Sequence, residues 1–247
     1  MEIQGKVALI TGGTHGIGAE TTIKLAKGGA KICIVARDIV NAPVIQDLKN
    51  IGATYYLIKA DLSEETACKR VVEETVSQFN AIDIFVHCAG SAAPGGLLSG
   101  AREVWYSAFD IHVHAIFHLC LAIAPFMQIQ GEGAIILISS AAGLRGVKNA
   151  LAYAVVKGAI PQFARTLALE LSDKRIRVNC VSPGVIRTRF QDYLTDRQVR
   201  NNIENRIPIH SEGTPEEVAD AILMLIRNNF ITGENLVIDG GMTMRIV

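Results

Sequence analysis

The sequence predicts an α/β protein built on a single doubly wound parallel sheet with helices on both faces. Three observations carry this. Short apolar, β-branched runs alternate with helical segments along the chain, and strands in such alternation are joined by crossover helices and pair in parallel. Three such strand–helix units fall in the first third alone. At 247 residues, 49% of them hydrophobic and only 19% charged, the chain can bury a sizeable core. No repeat, low-complexity tract or linker separates a second domain, so residues 1–247 read as one.

The first strand, residues 6–11 (KVALIT), opens directly onto Gly12-Gly13-Thr14-His15-Gly16-Ile17-Gly18. A helix over residues 18–27 follows, packing through Ile23, Leu25 and Ala26 and stopped by Gly28-Gly29. Glycines in such a turn let backbone N–H groups approach a pyrophosphate, and the helix N-terminus sets partial positive charge against it. The second strand, Lys31–Ala36, ends in Arg37-Asp38, where an adenosine ribose would be met. The third, residues 55–60, ends in Asp61-Leu62. Ser63-Glu64-Glu65 then reads as an N-cap and acidic first turn of a helix running to about Phe79.

A fourth strand, residues 82–87, opens into Cys88-Ala89-Gly90 and a loop to about Gly100, followed by a helix from about Arg102 through Ile123. Strand five covers residues 134–139. Strand six covers 177–181 and ends in Ser182-Pro183-Gly184. Between them the long helix Leu151–Leu171 carries Tyr153 and Lys157, which lie on one face because they are four apart. An ammonium beside a phenol favours the phenolate, which makes a group that ordinarily titrates near about 10 usable for proton exchange closer to neutral pH. A serine hydroxyl at the neighbouring strand end can bond the same substrate oxygen. Residues 188–205 are polar with loose helical periodicity and read as a mobile lid. Thr214-Pro215-Glu216-Glu217 combines an N-cap, a first-position proline and a capping-box glutamate. It starts a helix to about Arg227, and Asn235–Ile238 is the last strand.

Lys plus Arg equals Asp plus Glu, 24 each, so no basic excess points to nucleic acid and small, weakly charged partners are expected. Glu2 and an early glycine turn are unlike a signal peptide. The longest apolar stretch, residues 111–127, is interrupted by three histidines and a proline, which argues against a membrane span. A soluble, cytoplasmic protein is expected. The five cysteines are scattered without C-x-x-C spacing and read as buried reduced thiols.

Taken in order, Thr11-Gly12-x-x-x-Gly16-x-Gly18, Asp61, Cys88-Ala89-Gly90, Ser140, Tyr153-x-x-x-Lys157 and Pro183-Gly184 resemble the short-chain dehydrogenase/reductase family over nearly the whole length. The resemblance implies a Rossmann domain that both binds the dinucleotide and carries the catalytic residues, with a substrate lid at about 187–210. It implies that Ser140 orients a substrate carbonyl, that Tyr153 exchanges its proton, and that Lys157 holds the nicotinamide ribose. It places Gly12, Thr14, His15, Gly16, Ile17 and Gly18 under the pyrophosphate, Asp61 and Leu62 beside the adenine, and Ala89 and Gly90 along the cofactor's middle. Pro183, Gly184, Val185 and Thr188 fall at the carboxamide end. The resemblance also implies a carbonyl or alcohol substrate and a homo-oligomer, a tetramer as in the family, with helix faces around His114, His118 and residues 163–171 at the interface.

Two positions depart from the family pattern. His87-Cys88 stands where Asn-Asn is common, and His112 stands where the fourth helix commonly supplies an Asn to the proton relay. A neutral imidazole offers one donor and one acceptor, so His112 is expected to serve in that place, neutral and with its pKa below the reference. NADP(H) is expected over NAD(H), because the position ending strand two is Ala36 followed by cationic Arg37. A strand end two residues later would put Asp38 there and reverse the preference. No metal is expected, since His112, His114 and His118 cannot meet one ion on a regular helix. A 3-oxoacyl-carrier-protein reductase and a non-catalytic dinucleotide sensor are the competing readings. For the former, residues 127–134 offer no basic docking group, whereas Lys174 and Arg175 do.

Overall fold

The structure, a computed structural model, describes residues 1–40, 42–192 and 194–244. Its strands are β1 (Val7–Thr11), β2 (Lys31–Ala36), β3 (Tyr55–Lys59), β4 (Ile84–His87), β5 (Gly133–Ile138), β6 (Ile176–Pro183) and β7 (Asn235–Ile238). They form one parallel sheet in the order β3-β2-β1-β4-β5-β6-β7. The helices are α1 (Gly16–Lys27), α2 (Pro43–Ile51), α3 (Glu65–Phe79), α4 (Arg102–Phe109), α5 (Ala115–Gln130), α6 (Leu151–Leu171), α7 (Asp196–Asn201) and α8 (Pro215–Arg227).

Successive strand residues point to opposite faces, and the sheet uses both. Leu9, Phe85, Ile135 and Leu137 pack against α3, α5 and α6. Ala8, Ile10, Ile136 and Ile138 pack against α1, α2 and α8. Fully burying a side chain such as Phe85 or Ile10 contributes roughly 1.5–3 kcal/mol, so the two cores fix the register of every strand. The chain crosses from β3 over to β4 on the other side of β1, and at that switch the strand ends diverge and open a crevice.

Several boundaries differ from expectation for physical reasons. Strand four begins at Ile84, and Asp83 before it is tied on both sides: its N–H donates to the Val7 carbonyl, its carbonyl accepts from Ala134 N, and its carboxylate accepts from Val7 N at 2.8 Å, Gln130 Nε2 at 3.0 Å and Lys6 Nζ at 3.3 Å. Strand six runs on to Pro183 by pairing Ser182 and Pro183 with β7. Ser63 is not the N-cap of α3; Glu64 holds that place. Ser63 instead donates its N–H (3.0 Å) and its hydroxyl (2.8 Å) to Asp61 Oδ1. The capping box of α8 forms as expected, with Thr214 N donating to Glu217 Oε2 at 2.7 Å.

The largest departure is the fourth helix. It continues through Pro125 to Gln130, where Gly131 in the left-handed region ends it, and it is broken at Asp110–His114 by a π turn. By length and composition this run, residues 102–130, could cross a membrane, with mean hydropathy 1.5. Its Ala115, Ile116, Leu119 and Ile123 are buried on the sheet, so it is a core helix of the fold. Residues 187–210, apart from Tyr193, which lies outside the described residues, hold a short turn at Arg189–Gln191, then α7 and a second π turn at Asn202–Arg206. All five cysteines are free thiols.

Candidate active site

One cleft of about 1380 Å³ runs along the carboxyl ends of β1, β2, β4, β5 and β6. Its first half is built from the glycine turn. Gly16 has φ +55°, and an added Cβ there would press on Thr188 at 3.2 Å; at Gly18 it would lie 2.3 Å from the Gly12 carbonyl. His15 precedes α1 without capping it, and no acid occupies the first turn, so the N-terminal N–H groups face the cleft beside Gly12, Thr14 and Ile17. Such a cradle fits a pyrophosphate. Beyond it, Arg37, Asp61 and the buried Leu62 line the cleft. The Asp61 carboxyl is held below its usual range by the Ser63 backbone and hydroxyl bonds, with Arg37 adding to the effect. Ala89 and Gly90 form the middle wall, and Pro183, Gly184, Val185 and Thr188 the far one.

Ser140, Tyr153, Lys157 and His112 line the other half of the same cleft. Lys157 is buried. Its ammonium donates to the Ile138 carbonyl at 2.8 Å and lies 5.8 Å from the centre of the Tyr153 ring. Burial pulls its pKa down to about 8, with Cys180 and Cys88 acting in the opposite direction. Ser139, buried behind, donates to the Lys157 carbonyl at 2.6 Å. That bond ties the end of β5 to the catalytic turn of α6, so the spacing of Ser140 from Lys157 is fixed by the backbone. The Ser140 Oγ accepts from Ala142 N at 3.1 Å while remaining half exposed to the cleft. A phenol, a hydroxyl and an ammonium converging on one cleft can bind a carbonyl oxygen and exchange a proton with it.

Two histidines stand behind these groups. The His112 Nε2 lies 2.9 Å from the Ser91 carbonyl and 3.3 Å from the Ser91 N–H, and one nitrogen cannot serve both. Its ring meets the Tyr153 ring edge-on at 5.9 Å. The His87 Nδ1 lies 3.0 Å from Thr11 Oγ1, which also accepts from Ala89 N at 3.2 Å. The other nitrogen of each ring, His87 Nε2 and His112 Nδ1, is buried without a partner among the described residues. Burial first, then Lys157, lower both pKa values to about 3, so both rings are neutral, as expected for His112. No cluster of three or more metal-ligating side chains occurs among the described residues.

A model of the family described as enoyl-(acyl carrier protein) reductase matches residues 12–243. The 3-oxoacyl-[acyl-carrier-protein] reductase of Thermotoga maritima is 31% identical over 249 residues, covering 99% of this chain and all of that one. The chain is a short-chain dehydrogenase/reductase. A solved member of the family from Burkholderia xenovorans superposes with a TM-score of 0.94 at 30% identity, over 100% of this chain and 99% of that one. The L-sorbose reductase of Gluconobacter frateurii, solved with NADPH and L-sorbose, does so with 0.92 at 29% identity over the whole of both chains. Like other short-chain dehydrogenases/reductases, this one is an NAD(P)-dependent oxidoreductase that acts on a carbonyl or alcohol.

Sequence reasoning missed how this reductase closes its cleft. Arg189 Nη1 meets His15 Nε2 at 2.8 Å, and the Phe190 ring lies 6.1 Å from that of Tyr153. Residues 189 and 190 therefore reach both the glycine turn and the tyrosine. It also missed Arg145, whose Nε and Nη2 donate to the Thr243 carbonyl at 3.1 and 2.8 Å across the substrate end. No local pattern could reveal contacts between residues 98 or 174 positions apart.

Proposed function

We propose that this enzyme transfers a hydride reversibly between NADP(H) and a small carbonyl/secondary alcohol pair. The observation that carries it is the arrangement of Ser140, Tyr153 and buried Lys157 in the same cleft as the glycine turn. When bound, the nicotinamide supplies or accepts the hydride. In the reducing direction the Tyr153 hydroxyl gives its proton to the substrate oxygen as the new C–H bond forms, and Ser140 donates a hydrogen bond to that oxygen. Lys157 holds the ribose and favours the tyrosinate left behind. His112 holds the Ser91 backbone against the π turn and so positions the wall facing Tyr153. Residues 1–247 act as one dinucleotide-binding and catalytic domain with its lid at 187–210, working in the cytoplasm.

The preference for NADP(H) over NAD(H) rests on the end of β2. Arg37 is exposed at the cleft and forms no ion pair among the described residues, while Asp38 turns its carboxylate onto Val40 N at 3.0 Å. A 2′-phosphate would thus meet the guanidinium before the acid. Arg37→Ala should weaken NADPH binding about tenfold or more, with NADH little affected. Fluorescence titration gives the affinities and kcat/KM for each cofactor the selectivity; an unchanged ratio would show that Arg37 does not read the phosphate.

A homotetramer is the proposed assembly. Phe117, Leu121 and Tyr106 on the fourth helix and Leu169 on α6 are at least half exposed, an apolar surface that a second copy would cover. His114, paired with Asp110, lies beside it, whereas Phe163 and Leu167 pack inward. Light scattering at micromolar concentration tests this, and a monomer would refute it. A 3-oxoacyl-carrier-protein substrate is the second reading, favoured by the name of the Thermotoga relative. It is weakened by Glu132, a carboxylate within the electrostatic reach of Arg175 in the expected docking region and paired with Lys6 at 2.9 Å.

A further inference from the structure

Beside the cleft, a second chamber of about 580 Å³ opens within the lid. Leu194, Asn202 and Arg206 line both spaces, so the two adjoin. Apart from Leu194, its walls are polar: Arg197, Gln198, Asn201, Asn202 and Arg206. No carboxylate among the described residues lines it. Neither arginine forms an ion pair among the described residues, although carboxylates elsewhere pair with Lys24, Arg70 and Arg187. Arg206 Nη1 is instead steadied by the carbonyl oxygen of the buried Asn202 side chain, at 2.8 Å. The Gln198 oxygen is already committed to the Thr195 N–H and hydroxyl, which leaves its amide as a donor. A chamber furnished with two cations and several N–H donors suits an anion, above all a planar carboxylate that a guanidinium can hold through two bonds.

We propose that this chamber receives the anionic end of the substrate, so that the enzyme acts on a carbonyl or alcohol carrying a carboxylate remote from the reacting carbon. The inference rests on the oxidoreductase reading of the cleft and assigns the substrate class within it. In the main cleft Ser140 and Tyr153 address the reacting oxygen, and Arg145 and Arg189, which also line it, are already engaged with the Thr243 carbonyl and His15. The lid thereby has a reason to close, because a substrate anchored at both ends bridges the lid and the sheet.

The test uses methyl-ketone acids of increasing chain length, from levulinate upward, and their methyl esters, titrated by calorimetry against the enzyme with NADP⁺ bound. At one chain length the acid should bind about tenfold or more tighter than its ester, as charge-assisted bonds allow, and added salt should erode the difference. In the double variant Arg197→Gln/Arg206→Gln, shown folded by circular dichroism, the ratio should fall to near one. Arg206→Lys alone, which keeps the charge and loses the fork, should fall between. Equal affinities of acid and ester in the wild type at every length, or a preference that survives in the double variant, would overturn the proposal. Turnover is read separately: an acid preference without any hydride transfer would uphold the anion chamber while refuting the carbonyl-reductase reading.

Discussion

Tyr153→Phe is expected to lower turnover by at least about 100-fold while cofactor affinity survives. The size follows from the usual contribution of general acid–base catalysis, about 10²–10⁴-fold, the lower end of which corresponds to about 2.7 kcal/mol of barrier. The substitution is clean because the ring is held by its neighbours. Its edge-on contact with His112 and its contact with Phe190, at 5.9 and 6.1 Å, are contacts that phenylalanine retains. Lys157 is anchored on the Ile138 carbonyl and not on the phenol alone, so the ribose site stays in place. What is lost is the transferable proton. Steady-state rates with a carbonyl panel and NADPH titration by fluorescence separate the two quantities. Turnover retained in the variant would remove Tyr153 from the catalytic role.

The parts of the molecule that were legible in the sequence are those fixed by local periodicity. The run Lys31–Ala36 and the helix Leu151–Leu171 fall where the residues place them, since each is a stretch of one pattern with clear stops. That Ser140, Tyr153 and Lys157 share one cleft was legible for the same reason: each follows a strand end or sits on one helix face. The π turn was not. One extra residue in a helical ladder leaves no mark in the apolar period, and the contact that accompanies it joins His112 to Ser91, 21 positions away. The expected end at about Ile123 falls short, and the helix runs on through Pro125. A proline inside a helix usually costs about 3 kcal/mol, but Ile123 and Met127, both fully buried on the sheet, offset that cost and carry the helix on. At Ser63 two local patterns competed, and the turn with Asp61 displaced the cap.

Stability should fall steeply as pH drops below about 6, through His87 and His112. Both have folded pKa values lowered from 6.5 to about 3. Between those values the unfolded chain binds the proton and the folded chain does not, so stability rises with pH there and is lost on acidification. Each histidine contributes a slope of about 1.4 kcal/mol per pH unit, and together from pH 6 to 4 the loss is on the order of 5 kcal/mol. That is comparable to the whole stability of an ordinary domain. The cause is visible: both rings are buried, and Lys157, with the thiols of Cys88 and Cys180 about it, already holds a positive charge nearby. The carboxylates with lowered pKa values, Asp61 and Glu132, begin to lose their contributions as the pH falls through their ordinary values of 3.8 and 4.5, at the acid end of the histidine window. Denaturant unfolding at pH 4.5 to 5.5 should show a slope of about two protons, falling to about one in His87→Asn and in His112→Asn. An asparagine at 112 can also donate to the Ser91 carbonyl and accept from its N–H at once, which the single imidazole nitrogen cannot. His112→Asn should therefore keep most activity, whereas His112→Ala frees Ser91 and should lower kcat about tenfold with little change in cofactor affinity. Slopes that remain at two protons in both asparagine variants would mean that other groups govern the acid transition, and an alanine variant as fast as the wild type would remove His112 from the working site.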